Sequence, residues 1–278
     1  MKLIPPHPLF CWALGWSVLG GARAAAAAAP GAVAVATTGV ERELTTDRPD
    51  ATESPFTVEA GRFQLEWDAA SYTYDRRDGG RTTAWTLAPF NLRYGLTPRV
   101  EVALRIVPWL RLTDEPSGGG KTTWEGFGDT TVRAKFNFWG NDGGPTALGL
   151  IADLRLPTAK HGLGNDTAEG GLGLPVTFEL GAGWEGAAMT YVVYGKNDTG
   201  DSRAAWANTI SVARDLAPDL GGFLELTSLA GDGAHVATFN CGLTRRVGPR
   251  VQLDLGVYLG LTSAAPDVTV FAGLARRF

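Results

Sequence analysis

The chain has 278 residues, 44% of them hydrophobic, with 37 glycines, only 2 cysteines and a formal net charge of −4. That length allows one large domain or two ordinary ones, and the high glycine content without a long apolar run favours many strands over many helices. An acidic balance excludes the basic face that nucleic-acid binding requires.

Met1-Lys2, the apolar stretch from Leu9 to Gly20 and the small-x-small Ala22-Arg23-Ala24 read as a cleaved secretory signal peptide over residues 1–24. Its apolar body is too short for a membrane-spanning helix. Cleavage after Ala24 removes Lys2 and Arg23, taking the formal charge from −4 to −6, and removes Cys11, so that Cys241 has no internal disulfide partner. Residues 25–45 form an Ala-rich flexible lead-in, interrupted by Pro30, Gly31 and Gly39. Residues 46–60 are a polar entry segment, and residues 61–278 are expected to form a barrel.

From Gly61 onward apolar and polar residues alternate, the signature of strands with one oily face. Phe63, Leu65, Trp67 and Ala69 oppose Arg62, Gln64, Glu66 and Asp68. Thr82 to Tyr94 changes parity between Leu87 and Phe90, and Pro89 predicts a bulge there. Val100, Val102, Leu104, Ile106, Leu110 and Leu112 oppose Arg99, Glu101, Arg105 and Arg111. Similar patterns follow over Thr130–Phe138, Leu148–Leu156, Leu172–Ala182, Leu220–Thr227, Ala237–Leu243, Val251–Leu261 and Val268–Phe278, while Ala187–Tyr194 is apolar on both parities and Ala204–Arg214 mixes Trp206, Ile210 and Val212 with Asn208. Twelve strands result, an even number that returns both ends of the chain to one side. Tight turns are expected at Gly95–Pro98, Gly140–Gly144, Trp184–Gly186, Asp215–Asp219 and Val247–Arg250. Longer polar links are expected at Asp75–Arg81, Thr113–Gly126, Pro157–Gly171, Gly195–Arg203, Ala230–Ala234 and Thr262–Asp267, as in a transmembrane barrel with periplasmic turns and outer loops.

Energetics points the same way. A Lys or Arg on the lipid face near the midplane costs about 2–4 kcal/mol, falling to roughly 0–1 at the interfaces. In the regular strands the charges keep to one face; Arg276 departs from this only beside the chain end. The fold class is therefore all-β: an antiparallel up-and-down barrel in the Gram-negative outer membrane. Cys241 shares its parity with Ala237, Phe239 and Leu243 and reads as a small apolar residue.

Thr46-Asp47-Arg48-Pro49-Asp50-Ala51-Thr52-Glu53-Ser54-Pro55 followed by Gly61-Arg62-Phe63-Gln64-Leu65-Glu66 carries a family likeness. So do Leu92-Arg93-Tyr94-Gly95-Leu96-Thr97, Gly126-Phe127-Gly128-Asp129 with Lys135, Leu156-Pro157-Thr158, Gln252-Leu253-Asp254-Leu255-Gly256 and Gly260-Leu261-Thr262 with Ala264-Ala265-Pro266-Asp267. From Thr46 to Phe278 the chain resembles the phenol-degradation (MetA-pathway) outer-membrane transporter family. The resemblance implies an outer-membrane barrel that passes small, hydrophobic or aromatic, solutes, with no catalytic residues and no cofactor. The resemblance also implies that Phe278 serves as a terminal aromatic signal for the barrel-assembly machinery, although Arg276 stands where the family usually has an aromatic.

Asp47, Arg48, Asp50 and Glu53 could fold into the barrel mouth as a plug or gate, or form an ordered lead-in whose carboxylates cap a turn. Inward charges are expected at Glu66, Asp68, Glu101, Arg105, Asp129, Arg133, Lys135, Asp153, Arg155, Glu179, Glu225 and Asp254. Most read as pairs that stiffen the wall, and Arg105, Arg133 and Lys135 with Glu179 and Asp254 are the candidates for a constriction. Tyr72, Tyr74, Tyr94, Trp109, Trp139, Trp184 and Tyr194 fit interfacial girdles. An outer-membrane lipid enzyme is one rival, with His161 and His235 as its bases; a structural or adhesion barrel is another. Asn165, Asp166 and Glu169 could loosely hold a divalent ion. Expected partners are membrane lipid, the assembly machinery and a small-molecule solute; self-association is left open.

Overall fold

The computed structural model describes residues 42–160, 162–196, 201–231 and 233–278. The expected signal peptide, the expected lead-in as far as residue 41 and His161 lie outside the described residues. Among the described residues every regular element is a strand. In chain order they are β1 (Phe63–Arg77), β2 (Gly80–Leu87), β3 (Phe90–Thr97), β4 (Val100–Ile106), β5 (Trp109–Glu115), β6 (Thr122–Gly126), β7 (Thr130–Trp139), β8 (Thr146–Leu156), β9 (Glu169–Gly181), β10 (Trp184–Lys196), β11 (Ser202–Ala217), β12 (Leu220–Gly231), β13 (Ala234–Arg246), β14 (Val251–Gly260) and β15 (Val268–Arg277).

These make twelve staves. β2 and β3 share one stave against β1, β4 and β5 the next, β6 and β7 the third, and every later strand is a stave of its own. All neighbours are antiparallel, and β15 pairs with β1 from Gln64↔Arg277 to Tyr74↔Val268, closing the wall. Closure removes the edges along the wall, the condition for a sheet to stand in lipid, and β6, paired with β5 alone among the described residues, keeps one free side at the loop end.

The three broken staves explain where simple alternation fails. At Ala88-Pro89 the backbone departs from strand geometry, with φ of 52° at Ala88, and the inward parity switches from Ala84 and Thr86 to Asn91 and Arg93. At Val107-Pro108 it switches again. Leu112 and Leu110 stand opposite the inward Ala84 and Thr86, while Arg111 stands opposite the outward Trp85 and pairs with Glu125. The expectation of Leu110 and Leu112 on the lipid face and Arg111 inside is therefore reversed. Proline supplies no N–H to the ladder, so the pattern restarts beyond it.

Four predicted connections also shift. Thr113–Gly126 contains β6, paired with β5. Asp75–Arg81 is a two-residue hairpin turn at Asp78-Gly79, with φ of 51° and 76°, the left-handed pair that suits a tightly twisted hairpin. Ala230–Ala234 is similarly short, since Gly231 pairs directly with Ala234. The turn placed at Trp184–Gly186 lies at Ala182-Gly183, because Trp184 already pairs with Gly181. The remaining longer links, among them 116–121, 157–168 and 261–267, lie at the end opposite Arg42 and Phe278. We refer to the two rims as the turn end and the loop end.

The outer face carries Trp67, Leu92, Leu172, Leu174, Ile210, Leu224, Leu226, Leu253, Leu255 and Val270, all exposed. In water such a belt would be an aggregation surface; in a bilayer it is the contact face. Cys241, opposite Leu224, lies on this outward parity. The interior is the inverse of a soluble core: Arg93, Arg133, Lys135, Gln64, Glu53, Glu101 and Glu225 are among its most deeply buried side chains.

Candidate functional site: a segment threaded through the lumen

Residues 42–60 run inside the barrel at the turn end. Pro49 and Pro55 fix the backbone dihedral at their positions and stiffen the segment, and the inward charges of the wall grip it at four places. Asp47 accepts from Lys135 Nζ at 2.6 Å and lies 3.4 Å from Arg93. Arg48 spans two strands, 2.5 Å from Asp68 and 2.6 Å from Asp254. Glu225 takes the backbone N–H groups of Ala51 and Thr52 at 3.0 and 2.6 Å and the Thr52 hydroxyl at 2.5 Å. Glu53 is held by Arg133 and lies 3.4 Å from Arg105.

Further contacts lock the backbone itself. Tyr258 donates to Pro49 O at 2.9 Å, Asn137 to Pro55 O at 3.0 Å and Arg93 to Phe56 O at 3.0 Å, while Glu101 accepts from Val58 N at 2.7 Å. At the rim Arg42 pairs with Asp142 at 2.6 Å, and Arg277 donates to the carbonyls of Arg42 and Glu43. The wall leaves room for this chain. A side chain at Gly95 would collide with the backbone carbonyls of Val58 and Glu59, and one at Gly273 would collide with the Arg48 guanidinium.

The electrostatics of the segment is uneven. Burial alone would raise the Asp47 carboxyl, but Arg93 and Lys135 outweigh it and hold the group well below the usual carboxylate range. Asp50 moves the other way: burial and the negative charge of Glu225 push it well above that range, and a hydrogen bond from Ser211 offsets only part of this. Burial also raises Glu53, against the pull of Arg133 and Arg105.

The segment divides the lumen. Towards the loop end a cavity of about 120 Å³ is lined by Ala51, Arg105, Arg133, Tyr191, Asn240 and Tyr258, among others. A second, of about 100 Å³, lies between Asn91, Phe90, Phe271 and Arg48. On the turn side a vestibule of about 460 Å³ is lined by Thr52, Glu53, Glu185, Ser211, Thr244 and Gln252, among others. Arg48, Pro49 and Asp50 line both the second cavity and the vestibule, so this tripeptide is the septum between them.

Of the residues expected in a constriction, Arg105, Arg133, Lys135 and Asp254 surround the segment. Glu179 does not: it is exposed at the turn end, where it pairs in register with Glu185. Asp129 serves the opposite rim, pairing with Arg155 at 2.8 Å and accepting from Ala159 N and Asn165 N at 3.0 Å each. Glu66 and Glu101 clamp Arg93 at 2.6 and 2.9 Å, and Asp153 takes Arg133 at 2.6 Å. Glu169 is engaged by Arg155 and Asn165. Trp109 pairs with Leu87 halfway along its stave instead of at a girdle, whereas Trp139 and Trp184 do lie at the turn end. Phe278 is exposed at that end, with the Arg276 guanidinium 4.9 Å from its ring centroid.

Arg93, Tyr258 and Asn240 were not singled out by the sequence. Their signal was parity: each sits on the polar side of its strand, between outward apolar neighbours. His235 donates to or accepts from Ser228 at 2.9 Å on the outward face.

No curated protein matches the chain. An outer-membrane channel from Pseudomonas putida F1 is similar in structure, with 16% identity and a TM-score of 0.60, the match covering 83% of this chain and 99% of that one. The NanC porin is similar at 6% identity and a TM-score of 0.50, covering 77% of this chain and 98% of that one. At such identities the likeness establishes the fold, that of an outer-membrane barrel. A family model described as "Putative MetA-pathway of phenol degradation" matches residues 46–278, the entry segment together with the whole barrel, and the chain belongs to that family.

Proposed function

We propose that the protein is an outer-membrane channel for passive passage of small solutes, with residues 46–55 as the gate across its lumen. The observation that carries this reading is that Arg48, Pro49 and Asp50 line both the second cavity and the turn-side vestibule and so stand between them. Residues 46–55 are held chiefly by hydrogen bonds and ion pairs, while the buried Leu44 and Val58 anchor the segment on either side of them. Solutes that are small and largely apolar or aromatic suit the Phe90, Tyr258 and Phe271 lining and agree with the family description.

Conductance in planar bilayers tests the proposal. The wild-type chain should conduct weakly, and Glu225→Gln, which weakens the grip on two backbone N–H groups, should raise both conductance and open probability severalfold. Unchanged conductance in Glu225→Gln and Asp47→Asn would remove the segment from the path. Silence of every variant would favour a structural barrel. A lipid enzyme is the weaker alternative, resting on the Ser228–His235 contact alone; replacing His235 would abolish any acyl hydrolysis that it performs.

A further inference from the structure

The lumen is largely polar, but its inner wall also carries apolar clusters, and one of them lies at the loop end on β2 and β5. Ala84, Val107, Leu110 and Leu112 form it, and all are buried. This patch exists because the stave break at Pro108 turns those leucines inward, where uninterrupted alternation would have given them to lipid. Leu163, from the 157–168 link, fills the patch and is 2% exposed.

The link is fastened on both sides of Leu163 but not through it. Asp129 holds the N–H groups of Ala159 and Asn165, and the Leu163 N–H bonds only within its own turn, to Lys160 O at 3.0 Å. Leu163 can therefore lift while its flanks stay anchored. Phe90 packs against the patch and also lines the second cavity, so the two spaces adjoin. In that cavity the Asn91 Oδ1, buried, has no hydrogen-bond donor among the described residues.

We propose that this patch is a binding station for a small apolar solute at the loop end of the lumen, with Leu163 as a tethered occupant that an entering solute displaces. The inference rests on the channel reading for its role, but not for the binding event. A solute leaving the station passes Phe90 into the second cavity, where Asn91 can accept a hydrogen bond from any hydroxyl it carries, and meets the septum at Asp50. A site that is already filled by its own protein has lowered apparent affinity, and removing the occupant restores it. An apolar cavity of a few methylene groups stays dry and takes up benzene-sized molecules.

Iodobenzene is the probe, located by the anomalous scattering of iodine in crystals of the full chain and titrated in solution. Leu163→Ala should bind it at least about tenfold more tightly than wild type, with iodine among Leu110, Leu112 and Ala84, and adding Leu112→Asn should abolish that site. Equal affinity, or iodine elsewhere only, overturns the proposal. Hydrogen exchange on the wild-type chain needs no variant: iodobenzene should speed exchange at Leu163 while the Ala159 and Asn165 amides stay slow. No change at Leu163 also overturns it. Both readouts report binding, so they remain decisive even if no conductance is found.

Discussion

Arg93 shows how this lumen is held. One buried guanidinium serves Glu66, Glu101 and, at 3.4 Å, Asp47, so removing it takes the close cationic partner from Glu66 and Glu101 and leaves Asp47 to Lys135. Breaking a buried pair from one side costs about 3–5 kcal/mol. Arg93→Met should lower the unfolding free energy by about that amount in urea titrations of the refolded barrel, and a loss under 1 kcal/mol would mean that water replaces the guanidinium. Asp50 is the residue through which pH should act. Its pKa is raised when seated, so its contribution to seating is complete below the ordinary carboxylate pKa of about 3.9 and is lost as pH rises through the raised value. Asp47, held low by Arg93 and Lys135, has the opposite dependence, with its loss confined to strongly acid conditions. Conductance should thus increase with pH in the wild type and do so less steeply in Asp50→Asn, Glu53 being raised by burial as well; an identical slope in both would exclude Asp50 as a titrating group.

At the scale of elements, the glycines beside the segment are as informative as its charges. Gly95→Val places a branched side chain where the Val58 and Glu59 carbonyls run. It should leave the barrel folded, as judged by heat-modifiable gel mobility, while raising conductance; an unaltered pore would show that the segment can sidestep the clash. Strand parity was legible in the sequence because lipid contact imposes a local period of two, visible from Phe63 to Trp67 and from Val251 to Leu259. The break at Pro89 was legible for the same reason, since Trp85 and Leu87 disagree with Phe90 and Leu92. The break at Val107-Pro108 was hidden, because Leu110 and Leu112 continue the apolar parity of Val100 to Leu104 while facing the other way. The path of residues 46–55 was legible only as one of two readings: Arg48 and Asp254 are far apart in sequence, and the same charges would suit a segment lying in the periplasm.

The whole molecule is an inverted protein, oily outside and charged within, and that inversion has a measurable consequence. Leu255, 55% exposed and in the middle of β14, should meet acyl chains, so Leu255→Arg should cost about 2–4 kcal/mol in lipid vesicles. Arg276→Leu, near the rim, should change stability by no more than about 1 kcal/mol. Equal effects at the two positions would place the bilayer elsewhere on the wall. The family match and the wall together account for the fold, but the channel stands or falls on where the entry segment sits.

Thr52 Oγ1 lies 2.7 Å from Thr209 Oγ1 of β11, and this pair allows that position to be fixed covalently. The direct test is the bilayer conductance of Thr52→Cys/Thr209→Cys in a Cys241→Ser background, measured under oxidising and then reducing conditions. A segment that gates the lumen should cross-link readily, hold the pore shut when oxidised and release it on reduction. Failure of the two cysteines to cross-link, or conductance that ignores the disulfide once formed, would contradict the account.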